Sequence, residues 1–335
     1  TLPLAISPYM FHWFSQLNKD SFVLTGEIMI VFAITILVLE LLKKINLPKL
    51  IGYTIIASVG TWLVAIPRPY VNQINLVFIA PFLLSVLFFC LLRQTGKIQL
   101  IQFFISSGII ISVLLFNSSG GASNVTLNNF YNQDPKIFMA RIHKEFKPGV
   151  ALDCFSQFSE WEKASWMHTY IDNKLKAMIG HRCIMFTLMQ THFNIATQNS
   201  FLDTEIFPKG TLDAIAYIPR GAQIGIFSPF PDKWLYNFNH PWSFFYTVVP
   251  FETLILYVGL AALIVWLAIY KKWTIAIPIA FACIPLTIYG TSVPFLGSLY
   301  RFRYPWWMIL ICIGLAAVLT LFKTFFFRSA NKLNV

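Results

Sequence analysis

Charged residues are scarce in this chain of 335 residues, because Asp, Glu, Lys and Arg together make up only 12% of it. A soluble domain carries about 25% charged residues, since its surface has to be hydrated. Hydrophobic residues reach 57% and aromatic residues 17%. A large soluble core does not account for these values, so the composition predicts a membrane protein.

Acidic residues are the scarcest charged type: 14 Asp and Glu stand against 25 Lys and Arg, for a net charge of +11. The excess does not indicate nucleic-acid binding, because the basic residues form no stripe interleaved with aromatic side chains. They lie mainly at the ends of apolar runs, where lipid headgroups and membrane orientation account for them. We therefore expect membrane lipids as partners and no nucleic acid.

Motifs of known chemistry are also missing. The sequence has no Gly-rich phosphate loop, no Ser-His-Asp order, no paired carboxylates, no Cys-x-x-Cys and no internal repeat. His143, His168, His181 and His192 are not spaced as metal ligands. We expect no metal and no cofactor, and the sequence leaves open whether the protein is an enzyme.

Only five cysteines are present. Three of them (Cys90, Cys283 and Cys312) fall inside apolar runs, where a thiol behaves as a small apolar group. Cys154 and Cys183 belong instead to a long polar segment, which lies in an oxidising compartment if it is outside the cell membrane. They are the candidate disulfide, with two free thiols as the alternative.

Long apolar runs, in contrast, are abundant. Each of seven runs has about 17–23 residues, enough at 1.5 Å per residue to cross a ~30 Å hydrocarbon core. Backbone groups there must bond to one another, so the runs are predicted helices. The predicted spans are 22–42, 50–66, 74–92, 98–116, 248–270, 273–289 and 304–322. The fold class is therefore an all-α, polytopic transmembrane bundle, with membrane parts at 1–116 and 248–335.

The segment between the membrane parts, residues 117–247, is much more polar, with eleven basic and ten acidic residues. Apolar and aromatic side chains recur at about turn spacing over 155–189, which predicts helix there. Apolar residues are scattered along the whole segment. We expect a large, mostly helical loop whose helices lie on the membrane surface.

Basic residues in the short connections predict the orientation, because they are enriched on the cytoplasmic side. One side has four (Lys19, Arg68, Arg301 and Arg303). The other has ten (Lys43, Lys44, Lys49, Arg93, Lys97, Lys271, Lys272, Lys323, Arg328 and Lys332). The prediction is a cell inner-membrane protein whose long loop and first residue are extracytoplasmic. Because the chain begins at Thr1 without Met, we also expect a segment upstream.

Three arginines are candidates for binding an anionic substrate, since a guanidinium matches phosphate geometry. Arg220 lies in a Pro- and Trp-rich stretch, 217–234, before the fifth span. Arg301 and Arg303 precede the seventh span, in a stretch that begins with Gly-Ser and ends in Pro, which favours an extended turn. The alternative is that all three are interfacial anchors whose charge reaches the headgroups.

Two carboxylates lie in predicted spans, where a charge is costly and needs a partner. Glu252 opens the fifth span at the depth of Arg301 and Arg303, so we predict a structural ion pair with one of them. A base or a cation ligand is the alternative reading. Glu27 in the first span presents the same choice.

The C-terminal third resembles a known group of proteins. The succession of a Pro-Arg segment, Ser228-Pro229-Phe230-Pro231, Glu252-Thr253-Leu254 with Tyr257, and 297–305 resembles bacterial inner-membrane proteins encoded with surface-polysaccharide genes. These look loosely like O-antigen polymerases and ligases. The match covers about residues 195–325, and it implies handling of undecaprenyl-linked glycans at the outer face, with arginines holding pyrophosphate. Unlike the polymerases, this chain has fewer spans and one dominant loop.

Three functions are weighed on these observations. The first is a membrane component of cell-surface glycan assembly that handles a lipid-linked anionic glycan. The second is a structural or accessory subunit of a larger membrane complex, in which other membrane subunits are the partners. The third is a small-molecule transporter, which the absence of an inverted repeat disfavours.

Overall fold

The structure is a computed structural model that describes residues 19–41, 47–92, 97–118, 160–193, 201–203, 205–234 and 243–332. Within these ranges the chain has no strand, only two isolated β-bridges, and nine α-helices. The helices are α1 Lys19–Leu41, α2 Leu47–Ala65, α3 Pro69–Leu92, α4 Lys97–Ser118, α5 Thr169–Phe193, α6 Thr211–Phe227, α7 Ser243–Tyr270, α8 Ala276–Ser292 and α9 Leu296–Lys332. The predicted all-α class is confirmed.

Six of the helices (α1–α4, α7 and α9) are long and apolar enough to cross a membrane. Large apolar side chains point outward from them, as the 79% exposure of Phe116 and the 69% exposure of Ile264 illustrate. Such surfaces suit lipid contact, so this is a multi-pass membrane protein. The predicted span 273–289 corresponds to α8, whose 17 residues rise only about 26 Å, less than the ~30 Å core.

The chain divides into two compact units. The membrane unit comprises Thr1–Asn124, Ile255–Ala282 and Pro305–Val335, and the polar unit comprises Val125–Leu254 and Cys283–Tyr304. The second unit thus includes most of the predicted loop and parts of α7, α8 and α9.

Glycines bring helices of the membrane unit into backbone contact. A Cβ added to Gly26 on α1 would lie 2.5 Å from the carbonyl oxygen of Gly60 on α2. A Cβ on Gly314 of α9 would lie 2.7 Å from the Cα of Gly259 on α7. Helices in lipid associate largely through close van der Waals packing, which small residues permit.

In the polar unit, glycines likewise bring α6 and α8 into close backbone contact. A Cβ on Gly290 would lie 2.5 Å from the backbone nitrogen of Gly225, and one on Gly221 would lie 2.9 Å from the Cβ of Thr291. Gly221 and Gly225 are four residues apart, so they share one face of α6. This face is closed by α8.

The predicted helix over 155–189 is wrong in its first part, because the described residues 160–168 are not helical and α5 begins at Thr169. Glu162 instead pairs with the segment before α6: its N–H donates to the Lys209 carbonyl, and its carbonyl accepts from the Thr211 N–H. The Trp161 indole N–H donates to Asp172 in the first turn of α5. These long-range bonds outweigh the helical spacing of the apolar residues.

The predicted extended turn before the seventh span is also wrong. α9 begins at Leu296 and continues through Pro305. Two residues apart on a helix differ by roughly 200° in direction, so Arg301 and Arg303 diverge. Arg303 is fully buried, whereas Arg301 is half-buried. Burial of the bulky side chains around Arg303 favours the continuous helix over the local turn preference.

Candidate functional site

A cluster of charged and aromatic side chains lies in the polar unit, where α5, residues 201–203 and α6 meet. Its centre is the Asp203 carboxylate. Arg220 of α6 donates to it twice, from Nε to Oδ2 at 2.8 Å and from Nη2 to Oδ1 at 2.8 Å. The Tyr217 hydroxyl, one turn earlier on α6, donates to Oδ2 at 3.2 Å. We call Arg182, Asp203, Tyr217 and Arg220 the arginine cluster.

Arg182 of α5 is the second guanidinium of the arginine cluster, and it is fully buried. Its Nη2 donates to the carbonyls of Leu202 at 2.6 Å and Asp203 at 2.9 Å, and its Cζ lies 5.1 Å from the centre of the Tyr217 ring. Its Nε and Nη1 have no hydrogen-bond partner among the described residues. Buried donors are normally satisfied, so these two mark a place where a ligand atom or water fits.

The backbone around Asp203 is not helical, and contacts with Pro294 and Phe295 hold it in place. Phe201 forms an isolated bridge with Phe295, and the Leu202 N–H donates to the Pro294 carbonyl at 2.9 Å. Asp203 itself has φ of 50°, in the left-handed region that Asp enters more readily than most residues. Such conformations persist where the surroundings impose them, and they cluster at functional sites.

The electrostatics of the arginine cluster keep Asp203 ionised and Tyr217 neutral. The hydrogen bonds from Arg220 lower the pKa of Asp203, against the opposing effect of burial. The same contact raises the pKa of Arg220. Burial lowers the pKa of Arg182, and the neighbouring Tyr217 and Asp203 oppose this shift. Burial raises the pKa of Tyr217 to about 12.

Two guanidiniums and one carboxylate leave the arginine cluster with a net positive charge of one. Arg220 is 38% exposed at its side chain, and its Cζ lies 5.1 Å from the centre of the Phe230 ring. Its Nη1 also donates to Gln223 at 2.6 Å. The guanidinium plane is therefore oriented by three side chains while its outer edge stays accessible, an arrangement that can bind an anion.

Arg303, a predicted substrate ligand, is buried and donates hydrogen bonds to the end of α6 and to Ser228. Its Nη1 donates to the carbonyls of Ile224 and Gly225 at 3.3 and 3.0 Å and to the Ser228 hydroxyl at 2.8 Å, and its Nη2 donates to the Ser228 carbonyl. It therefore binds the Gly225 carbonyl near the end of α6 and both oxygens of Ser228, while the Ile224 carbonyl also accepts from the Ser228 N–H. A substrate contact of Arg303 stays a prediction.

Glu252 lies in the polar unit near Arg303. Its neighbour Thr253 contacts the Tyr300 hydroxyl at 3.4 Å, and the Arg303 Cζ lies 4.4 Å from the centre of the Tyr300 ring. The charges of Glu252 and Arg303 both act on Tyr300. The predicted ion pair of Glu252 with Arg301 or Arg303 stays a prediction, as does a substrate contact of Arg301.

Cys183 on α5 is buried and takes part in a disulfide bond. Its predicted partner, Cys154, lies outside the described residues, so that pairing stays a prediction. Cys283 and Cys312 are free thiols. In the ranges that the structure describes, no group of three His, Cys, Asp or Glu side chains is placed to hold a metal ion.

Three tryptophans of the predicted loop differ in exposure. The indole N–H of Trp161 donates to Asp172, and that of Trp234 donates to the Pro229 carbonyl at 2.8 Å. Trp166 is 66% exposed, close to the exposed Tyr170 and Ile171 at the start of α5. Trp166 is thus the tryptophan whose position suits an interfacial anchor.

Sequence reasoning singled out Arg220 but missed Arg182 and Asp203. Arg182 is a charged residue within the mixed sequence of α5, and Asp203 is a single acid after Phe-Leu. Neither position has a motif around it. A signal was present in the Phe-Leu-Asp segment, because an acid directly after two buried apolar residues needs a cationic partner.

No protein-family model, no curated protein and no solved structure matches this chain.

Proposed function

We propose that this protein handles a lipid-linked anionic glycan at the outer face of the bacterial inner membrane, and that the arginine cluster holds the phosphate groups of this substrate. One observation carries the proposal: two guanidiniums meet at Asp203, Arg220 at its carboxylate and Arg182 at its backbone carbonyl, and the buried Arg182 keeps Nε and Nη1 without a partner among the described residues. The class of substrate comes from the sequence resemblance over residues 195–325.

The chemistry of the arginine cluster suits a phosphate. A guanidinium donates in a planar fork that matches two phosphate oxygens, and such charge-assisted bonds are among the strongest in proteins. Asp203 fixes one edge of the Arg220 guanidinium and leaves the other edge to the ligand. Tyr217 supports Asp203 with a hydroxyl that stays protonated, since burial raises its pKa to about 12.

The membrane unit accounts for the lipid part of such a substrate. Six helices long enough to span a membrane expose apolar side chains to lipid. A polyprenyl chain partitions into the same hydrocarbon layer, so the headgroup alone has to be recognised. The disulfide at Cys183 supports an oxidising location for the polar unit.

The test is direct binding of undecaprenyl pyrophosphate to the purified protein in lipid nanodiscs, with undecaprenol as the uncharged probe. We expect the pyrophosphate to bind and the alcohol to bind weakly or not at all. Arg220→Gln should weaken pyrophosphate binding at least about tenfold, which corresponds to ~1.4 kcal/mol. The matched control is Lys209→Gln, which removes an exposed positive charge of the same unit.

Two results would contradict the proposal. Equal affinity for the alcohol and the pyrophosphate would show that the arginine cluster does not recognise phosphate. An unchanged affinity in Arg220→Gln would show that Arg220 does not bind the pyrophosphate. An equal loss of affinity in Lys209→Gln would show that binding depends only on the general positive charge of the unit.

A second candidate function, an accessory subunit that docks on another protein, is favoured by an exposed apolar patch. Trp166, Tyr170, Ile171 and Leu212 are each at least half exposed. Tyr170 and Ile171 directly precede Asp172 of α5, and Leu212 directly follows Thr211 of α6, which donates to Asp172. If the patch is a docking surface, Trp166→Ser with Leu212→Ser should release the protein from a larger assembly on native gels, and Arg220→Gln should not.

A further inference from the structure

The membrane unit contains a buried carboxylic group that the proposed function does not use. Glu27 of α1 lies in the first span and is fully buried. Asn75 of α3 is also fully buried. The Asn75 Nδ2 donates to Glu27 Oε1 at 2.8 Å. Within the described residues, no ion pair reaches Glu27.

The other half of this contact holds two oxygens without a partner. Glu27 Oε2 and Asn75 Oδ1 are buried, and neither has a hydrogen bond in the described part of the chain. Both are acceptors while Glu27 is ionised, so they cannot bond to each other. A single proton on Oε2 turns it into a donor, and the acid and the amide can then pair through two hydrogen bonds.

Among the described residues, no cationic side chain is bonded to Glu27. On the elements that pack against α1, the described titratable side chains are Lys49 and Tyr53 on α2 and Arg68 in the turn after it; Glu40 lies farther along α1 itself. None of them bonds to Glu27. A lone ionised carboxylate in such a place is strongly disfavoured, and burial favours its neutral form.

Further polar contacts lie one turn from Asn75, towards the end of the bundle at which α1 and α3 begin. Asn72 lies one turn before Asn75, and its Nδ2 donates to the Thr61 carbonyl at 2.8 Å. The Thr61 hydroxyl accepts from Asn117 Nδ2 at 3.2 Å near the end of α4. Asn117 is half-buried, so these polar groups lie between the level of Asn75 and the helix ends.

We propose that Glu27 and Asn75 form a binding site for one exchangeable proton inside the membrane unit. The proton lies on Glu27 Oε2 and is donated to Asn75 Oδ1. Asn72, Thr61 and Asn117 form the polar route by which it exchanges with the helix ends. This site is independent of the arginine cluster.

The first test compares Glu27→Gln with Glu40→Gln, a matched change of the second glutamate of α1. The infrared spectrum of the full chain in nanodiscs at neutral pH should contain the carbonyl band of a protonated carboxylic acid. The band should disappear in Glu27→Gln and remain in Glu40→Gln. A spectrum without this band, or a band unaffected by Glu27→Gln, overturns the proposal.

The second test uses dicyclohexylcarbodiimide, an apolar reagent for protonated carboxyl groups. The acid adds across one C=N bond, so that its oxygen bonds to the central carbon and its proton moves to nitrogen; acyl migration then gives a stable N-acylurea. Mass spectrometry should find the adduct on Glu27, and the adduct should decrease as pH rises. Protection by sodium chloride and not by choline chloride would show that the site holds sodium, which contradicts the proposal.

Stability provides the readout that does not depend on reagent access. The Gln side chain has the shape and the hydrogen bonds of protonated Glu, so Glu27→Gln should keep the melting temperature of the native chain. Glu27→Ala should lower it. If Glu27→Gln were as destabilised as Glu27→Ala, Glu27 would act as a carboxylate and the proton site would be refuted.

Discussion

The guanidinium of Arg220 holds the Asp203 carboxylate at two points, with Nε 2.8 Å from Oδ2 and Nη2 2.8 Å from Oδ1. The Asp203 side chain is 11% exposed and that of Arg220 is 38% exposed, so water screens one partner only. The contact joins residues 201–203 to α6 and places Arg220 beside Arg182. It is both a structural link and the base of the proposed phosphate site.

The coupling between these two residues can be measured with a double-mutant cycle. Asp203→Asn and Arg220→Gln should each lower the thermal melting temperature in detergent, and the double variant should lose less than the sum. We expect a coupling of about 1 kcal/mol, below the value for a fully buried charged pair because Arg220 is partly solvated. Additive losses would show that the contact contributes nothing to stability.

Arg303 should be required for folding and not for binding. Arg303→Met removes the donors that reach Gly225 and Ser228, and each buried acceptor left unsatisfied costs roughly 1–3 kcal/mol. The folded yield on size-exclusion chromatography should therefore drop sharply. Lys323→Gln is the control on the same helix, because Lys323 is exposed, and it should retain the yield. Normal yield of Arg303→Met with lost pyrophosphate binding would restore Arg303 as a substrate ligand.

Acidification should destabilise the polar unit through His181. Burial lowers the pKa of His181, although its Nδ1 hydrogen bond to the Ser292 carbonyl at 3.3 Å opposes the shift. Below the usual histidine pKa of about 6.5 the unfolded chain takes up a proton that the folded chain does not, so stability falls as pH decreases from about 7.

The control for this pH dependence is His181→Gln, which cannot titrate. Its melting temperature should vary less than that of the native chain between neutral pH and pH of about 5. Asp203 acts at lower pH. Because its pKa is lower in the folded chain than in the unfolded chain, it stabilises the fold above the unfolded pKa of about 3.9. This stabilisation is lost as pH falls through the folded pKa. An identical pH profile in His181→Gln would exclude His181 as the cause.

The predicted orientation can be tested with two engineered thiols. Lys163 precedes α5 in the polar unit and Lys271 follows α7, and both are exposed. In intact cells an impermeant maleimide should label Lys163→Cys and leave Lys271→Cys unlabelled until the membrane is opened. The native chain serves as the background control. Labelling of Lys271→Cys alone would place the polar unit in the cytoplasm.

The composition and the long apolar runs were enough to predict an all-helical, multi-pass membrane protein. The physical reason is local: an apolar run long enough to cross the bilayer has to satisfy its own backbone hydrogen bonds, whatever it packs against. The predicted spans 22–42 and 74–92 therefore lie close to α1 and α3. Boundaries shifted most at α9, which extends from Leu296 to Lys332 on both sides of the predicted 304–322.

Which charged residues meet depends on the packing of distant segments. Arg182 and Asp203 are 21 residues apart in sequence, Asp203 and Arg220 are 17 apart, and no spacing rule connects them. The bridge of Phe201 to Phe295 brings the Asp203 segment into place. The structure likewise separated Arg301 from Arg303 by making their segment helical, and it paired Glu27 with Asn75 across two helices. Helix formation depends on each segment alone, whereas a charge finds its partner through long-range packing that composition and periodicity do not encode.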